Sequence, residues 1–147
     1  LWANLIPQTS WYSNLRKVYS STEWDQIRRS VYKRQNYRCK LCNKKTRLHC
    51  HEQWSYDYEQ GIQQLHQLIG LCFLCHMNQH PGFCNVKLIP EGRLTKAELA
   101  AHWAQVNKRP IAEFYEHEKL AFELWAIRSK VSWQVVDHKG RVLTPLP

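Results

Sequence analysis

Three segments decide how this chain reads: Tyr37-Arg-Cys39-Lys-Leu-Cys42, Leu48-His-Cys-His-Glu52, and Leu68-Ile-Gly-Leu-Cys72-Phe-Leu-Cys75-His76-Met-Asn-Gln-His80. Cys39/Cys42 and Cys72/Cys75 are two C-x2-C pairs, and four cysteines at paired spacing build a closed tetrahedral zinc site. His76 and His80, four residues apart, share one face of a helix. Opposite the histidine-bearing strand they make a second and chemically different metal site, with His51 as the third ligand. Cys50 alternates with His49 and His51, so its thiol should point into the core behind them. Six cysteines also allow three disulfides, but C-x2-C twice with interleaved histidines favours reduced thiolates on zinc.

Working outward, 147 residues with 44% hydrophobic content suit one globular domain with an ordinary core. The expected division is 1-36 for an aromatic arm and basic helix, 37-82 for the metal core, and 83-147 for a helical scaffold with a terminal hairpin. The balance of 21 Lys+Arg against 12 Asp+Glu gives a formal charge of +9 and favours a polyanion, nucleic acid first. The bland alternative is a solvated basic surface. Between Arg28 and Arg47 no acid interrupts the positive charges, and Arg28, Arg29, Lys33, Arg34, Lys44 and Lys45 are the candidate phosphate contacts. No signal peptide or transmembrane run is legible, which implies a cytoplasmic protein without a membrane partner.

Pro7 to Asn14 reads as an extended arm, and Ser21 or Thr22 as the cap of a helix whose apolar residues Trp24, Ile27 and Val31 recur at helical steps. Arg47 to Trp54 and Ile62 to Leu71 read as strands around an Asp57 to Gly61 turn, and Phe73 to His80 as a helix closed by Pro81-Gly82. Thr95-Lys-Ala-Glu98 is a capping box opening a helix with Leu99, Trp103 and Val106 on one face. A further helix runs from Pro110 through Phe114, Leu120, Leu124 and Ile127. Val131 to Val136 and Arg141 to Leu143 suggest a hairpin. This third of the chain reads as packing scaffold, with His102, His117 and His138 as surface or hydrogen-bonded residues.

Residues Tyr37 to Gly82 resemble the HNH endonuclease family, in which a knuckle, a strand carrying the catalytic His and a Cys-x2-Cys-His helix follow in this order. Cys50-His-Glu52-Gln-Trp54-Ser-Tyr56-Asp57 is similar to a bacterial branch with a His-Glu pair, and Trp11 to Trp24 to the arm of that branch. The resemblance implies an α+β fold with a ββα-metal (His-Me finger) core, a structural Zn²⁺, and hydrolysis of phosphodiester bonds, of DNA ahead of RNA. Where the family usually has Asp-His or His-His, with a metal ligand then a general base, this chain has His51-Glu52. Where the family has a central Asn tying the finger loop, this chain has Gln67, and Tyr56, Asp57 or His66 could supply that bond.

Phosphodiester hydrolysis needs an activated water, neutralisation of phosphate charge and a stabilised leaving oxygen. His51, His76 and His80 would hold the divalent ion, Mg²⁺, Mn²⁺, Ni²⁺ or Zn²⁺. The catalytic pair is His51 and Glu52, with Glu52 either the base or a carboxylate orienting a ligand His. Adjacent side chains on a strand face opposite ways, so Glu52 reaches the ion only if the strand bends, whereas His49 and His51 share a face. The alternative is a zinc-containing nucleic-acid-binding module without catalysis, or a domain of a larger effector.

Overall fold

A computed structural model describes residues 1–11 and 15–143. The described residues are mixed α+β, with six helices and a three-stranded sheet in the order β1-β2-β3. Along the chain come α1 (Leu15–Val18), α2 (Ser21–Arg34), β1 (His49–Asp57), β2 (Ile62–Leu71), α3 (Phe73–Gln79), α4 (Pro81–Phe83), α5 (Lys96–Asn107), α6 (Ala112–Arg128) and β3 (Gln134–Val136). No helix is long and apolar enough to cross a membrane.

The expected extended arm over Pro7 to Asn14 is corrected at its start, because Gln8–Ser10 closes into a 3-10 turn with Ser10 N–H donating to Pro7 O. Tyr12 to Asn14 lie outside the described residues. The α2 cap is Ser20, not Ser21 or Thr22. Glu23 stands three residues beyond Ser20, so the serine Oγ accepts from Glu23 N–H while the Glu23 carboxylate accepts from Ser20 N–H. The Thr95 box is formed as the sequence indicates, with Glu98 as its return partner.

β1 and β2 pair antiparallel from His49↔Leu71 to Asp57↔Ile62, with a register shift after Gln53 that leaves His66 as the extra residue on β2. Asp57 Oδ1 accepts from Glu59 and Gln60 N–H, both at 3.0 Å, and so ties the turn. Gln67 instead donates across the ladder to Gln53 Oε1 at 2.7 Å. On one face of the sheet, Leu15, Trp24, Val31, Cys50, Trp54, Leu65 and Val135 form an apolar cluster beneath α2. Cys50 is therefore buried as its alternation requires.

The expected C-terminal hairpin is present in rudiment, the chain returning antiparallel through the bridge Val136↔Val142 with Asp137 N–H donating to Arg141 O and Leu143 N–H to Val135 O, while β3 is shorter than expected and also pairs parallel with β2. The helix expected from Pro110 is formed as α6, but the apolar residues along it do not all pack inward. Phe114 and Leu120 are six residues apart, about 240° of rotation around a helix, and cannot share a face. The buried set is Phe114, His117 and Ala121, packed toward Trp103 and Leu99, and Leu120, Leu124 and Ile127 are 45–53% exposed. His117 accepts from Ala3 N–H and stacks on Trp103.

Candidate metal centres

Both candidate centres use α3, and its termini explain why. Cys72 is the N-cap, its Sγ accepting from Cys75 N–H at 3.4 Å, so a sulfur meant for a metal also satisfies an orphan amide of the first turn. The helix ends where His80 precedes Pro81. The proline ring excludes the helical region for its predecessor, and His80 takes φ −122, ψ 52.

Cys39 and Cys42 reach the same place from a tight knuckle. Asn43, at φ 59, closes it with Asn43 N–H donating to Cys39 O, and Cys39 N–H donates to Lys44 O. The knuckle is pinned to the sheet at Gly70. Lys40 N–H and Gln35 Nε2 both donate to Gly70 O, and Gly70 N–H donates to Gln35 Oε1. A Cβ on Gly70 would meet Leu48 Cδ1 at 3.0 Å and Tyr32 Cδ1 at 3.1 Å, so the close approach requires glycine.

The Sγ atoms of Cys39, Cys42, Cys72 and Cys75 lie within 4.8 Å of one another, with Cys42 and Cys72 at 3.6 Å. Tetrahedral Zn–S bonds of about 2.3 Å put sulfurs roughly 3.8 Å apart, so the cluster can hold zinc. Hydrogen bonds from Cys72 and Cys75 hold the Cys39 thiol far below its usual range, and the same bonding pushes Cys72 up to about 11. Like charge and burial oppose gathering several thiolates here, and a bound cation offsets both. All six cysteines are free of disulfides.

The second cluster is His51, His76 and His80, whose ring nitrogens also lie within 4.8 Å of one another. His76 Nε2 and His80 Nε2 are 3.2 Å apart, close to the roughly 3.3 Å that two imidazoles at about 2.0–2.1 Å impose on a tetrahedral ion. The His51 ring lies 5.1 Å from that of His80 and 5.5 Å from that of His76, centre to centre. Burial, then the charge of His80, pulls His51 down to about 3, and burial followed by its histidine neighbours pulls His76 down to about 2. Burial and then Arg16 bring His80 to about 4. All three are neutral at pH 7, the protonation state in which imidazole ligates metal. A groove of about 460 Å³, lined by Trp2, His51, Glu52, Gln53, Gln67 and Gln79 among others, opens at His51.

Comparison with family models, with curated proteins and with solved structures finds no match in any of the three.

Glu52 stands apart from the ring cluster. Its Oε1 accepts from Leu15 N–H at 3.2 Å, burial pushes its carboxyl up, and among the described residues no hydrogen bond joins it to His51, His76 or His80. His49 lies on the His51 side of β1, its ring stacked on His76 at 5.2 Å and 14°. Of the basic candidates, Arg28 and Arg29 are paired with Asp25 at 2.7 and 3.6 Å, whereas Lys33, Arg34, Lys44 and Lys45 are exposed around the knuckle.

Two residues escape the sequence reading. Arg16 on α1 places its charge near His49, His76, His80 and Glu52, although nothing in the local sequence links it to them. His102 on α5, expected to stand alone, brings Nε2 to 3.1 Å from Cys75 Sγ and 4.0 Å from Cys72 Sγ. A lone His in an amphipathic helix carries no local signal of such a contact.

Proposed function

We propose that this chain is a metal-dependent endonuclease of the HNH type that hydrolyses phosphodiester bonds of nucleic acid, DNA ahead of RNA. The observation that carries the reading is the convergence of His51, His76 and His80 on a point separate from the four cysteines and bordered by the groove. A structural site closes its coordination shell with four ligands, whereas three neutral nitrogens leave a tetrahedral ion one position for water or a phosphate oxygen, and the groove reaches the cluster at His51. The β1-β2-α3 order, with the four-Cys knot beside it, is the arrangement the family resemblance calls for.

A divalent ion held there would polarise the phosphate and stabilise the leaving alkoxide. The protein's own residues supply the rest. His51, His76 and His80 orient the site. His49, lowered by burial and then by Arg47 and Arg16, is unprotonated at neutral pH on the same side of β1 and is placed to take a proton from the attacking water. Glu52, held by Leu15 N–H, acts as a positioning carboxylate for the start of α1 and not as the base. Lys33, Arg34, Lys44 and Lys45 hold substrate phosphates, and Arg16 adds positive charge next to the imidazoles.

Nicking of supercoiled plasmid with Mg²⁺, Mn²⁺, Ni²⁺ or Zn²⁺ in turn is the direct test. Cleavage by the wild type with at least one ion, lost in His51→Ala, is the expected result. The absence of nicking with every ion would remove the catalytic reading. The burial of His51, 7% exposed, favours a second reading, a zinc-containing nucleic-acid-binding module. That module would retain salt-dependent DNA binding without cleavage.

A further inference from the structure

The Cys75 sulfur is fully buried and sits in the first turn of α3, where its own backbone N–H is spent on Cys72. Among the described residues, His102 is the one non-cysteine side chain that comes within hydrogen-bonding reach of any of the four sulfurs. It arrives from α5, a helix whose Leu99, Ala100 and Trp103 pack with Met77 of α3, so its ring is carried to the cluster by a rigid framework. Four thiolates on one Zn²⁺ leave a net charge of −2 in a buried place. A donor aimed at one sulfur spreads that charge, and the partners around metal ligands commonly set how tightly the metal is held.

We propose that His102 is a positioning residue for the four-Cys centre, donating its Nε2–H to the Cys75 thiolate so that the sulfur is both less reactive and anchored to α5. The separation of 3.1 Å to Cys75 against 4.0 Å to Cys72 places the nitrogen on one sulfur rather than at the centre of the four, which suits a donor to a ligand and not a ligand. No bond is made or broken. The proton stays on Nε2, and the metal-free thiol reverses the sense of the contact, with S–H donating to the ring nitrogen. Zinc occupancy is thereby coupled to the C-terminal helices, since the anchor on α5 is strongest when Cys75 is a thiolate. This inference does not depend on nuclease activity.

The test uses zinc-loaded full-length chain and follows zinc transfer to a chromogenic chelator together with iodoacetamide labelling of Cys75 mapped by mass spectrometry. His102→Leu keeps the bulk and removes the donor, and both rates should rise about 10- to 100-fold. His102→Gln places an amide N–H near the Nε2 position and should restore slow release, whereas His102→Asn is one atom too short and should not. Wild-type rates in both His102→Leu and His102→Asn would overturn the proposal. If His102→Leu fails to fold, the Gln and Asn pair decides alone, and equal rates for the two sink the idea. A cobalt-substituted wild type whose absorption reports three sulfurs and one nitrogen would also overturn it by making His102 a ligand.

Discussion

The four-Cys and three-His clusters share one short helix, yet they differ in their surroundings as well as in the ligand atoms they offer. Around the sulfurs, Cys39, Cys72 and Cys75 are at most 5% exposed, Cys42 is partly exposed, and His102 approaches Cys75. Around the imidazoles, His76 and His80 remain partly exposed and a groove reaches His51. The difference teaches that ligand number alone does not assign a role. Four sulfurs complete a tetrahedral shell by themselves, so a cation bound there would have no open position for substrate. Three nitrogens would leave one position of a tetrahedral ion open, and burial keeps them unprotonated.

The comparison breaks hardest at the sulfurs. Cys42→Ser should lose zinc and unfold residues 37–82, because structural zinc binding by such sites is worth on the order of 10 kcal/mol. Thermal melts with elemental analysis check this, and folded, reduced wild type without zinc would refute the assignment. The mirror experiment is His51→Ala, which should bring cleavage to background while zinc content and the melt stay unchanged. Within that site, His49→Gln should cost on the order of 10²- to 10⁴-fold if it accepts the proton, and Glu52→Gln much less, in single-turnover rates. Equal losses would return Glu52 to the chemistry.

Acid sharpens the contrast without mutation. The folded imidazoles titrate at about 3, 2 and 4 for His51, His76 and His80, below their unfolded value of roughly 6.5. Between these limits the unfolded chain binds more protons, so stability falls as pH drops below about 6.5 and stops falling once the folded values are passed. At pH 5 the loss is at most about 2 kcal/mol per imidazole. Urea midpoints at pH 7.5 and pH 5, without added catalytic ion, measure it, and occupation of the site by Mn²⁺ or Zn²⁺ should blunt the slope. A flat profile would mean that the rings are hydrated and the site looser than drawn.

The smallest effect concerns the seam that pins the knuckle to the sheet. Gly70→Ala forces a methyl against Leu48 and Tyr32 and should cost about 1–3 kcal/mol. Zinc transfer to a chelator should quicken while metal affinity at the imidazoles changes little. Equal loosening of both centres would show that they are not independent.

Much of the frame was legible without coordinates. The Asp57 to Gly61 turn signal marked Ile62–Leu71 as a returning strand, and the Thr95 box set the start of α5, because both signals act over a few neighbouring residues. The paired cysteines were equally legible, since two residues between ligands is the span of one tight turn. Which face of α6 packs inward was not read from the sequence, because the buried set of Phe114, His117 and Ala121 includes a histidine while Leu120, Leu124 and Ile127 stay exposed. The parallel setting of β3 was missed because a turn signal at His138 to Gly140 says nothing about which edge a strand joins.

By itself, then, the sequence determined the local elements and the two sets of metal-binding side chains, because periodicity, capping and ligand spacing are short-range physics. Only the tertiary structure decided that Glu52 faces Leu15 while His49 stacks on His76, that Arg16 lies beside the imidazoles, and that His102 touches Cys75. Those meetings join residues 27 to 64 positions apart, and they depend on how helices and sheet pack to bury apolar surface, a global balance that no window of sequence contains.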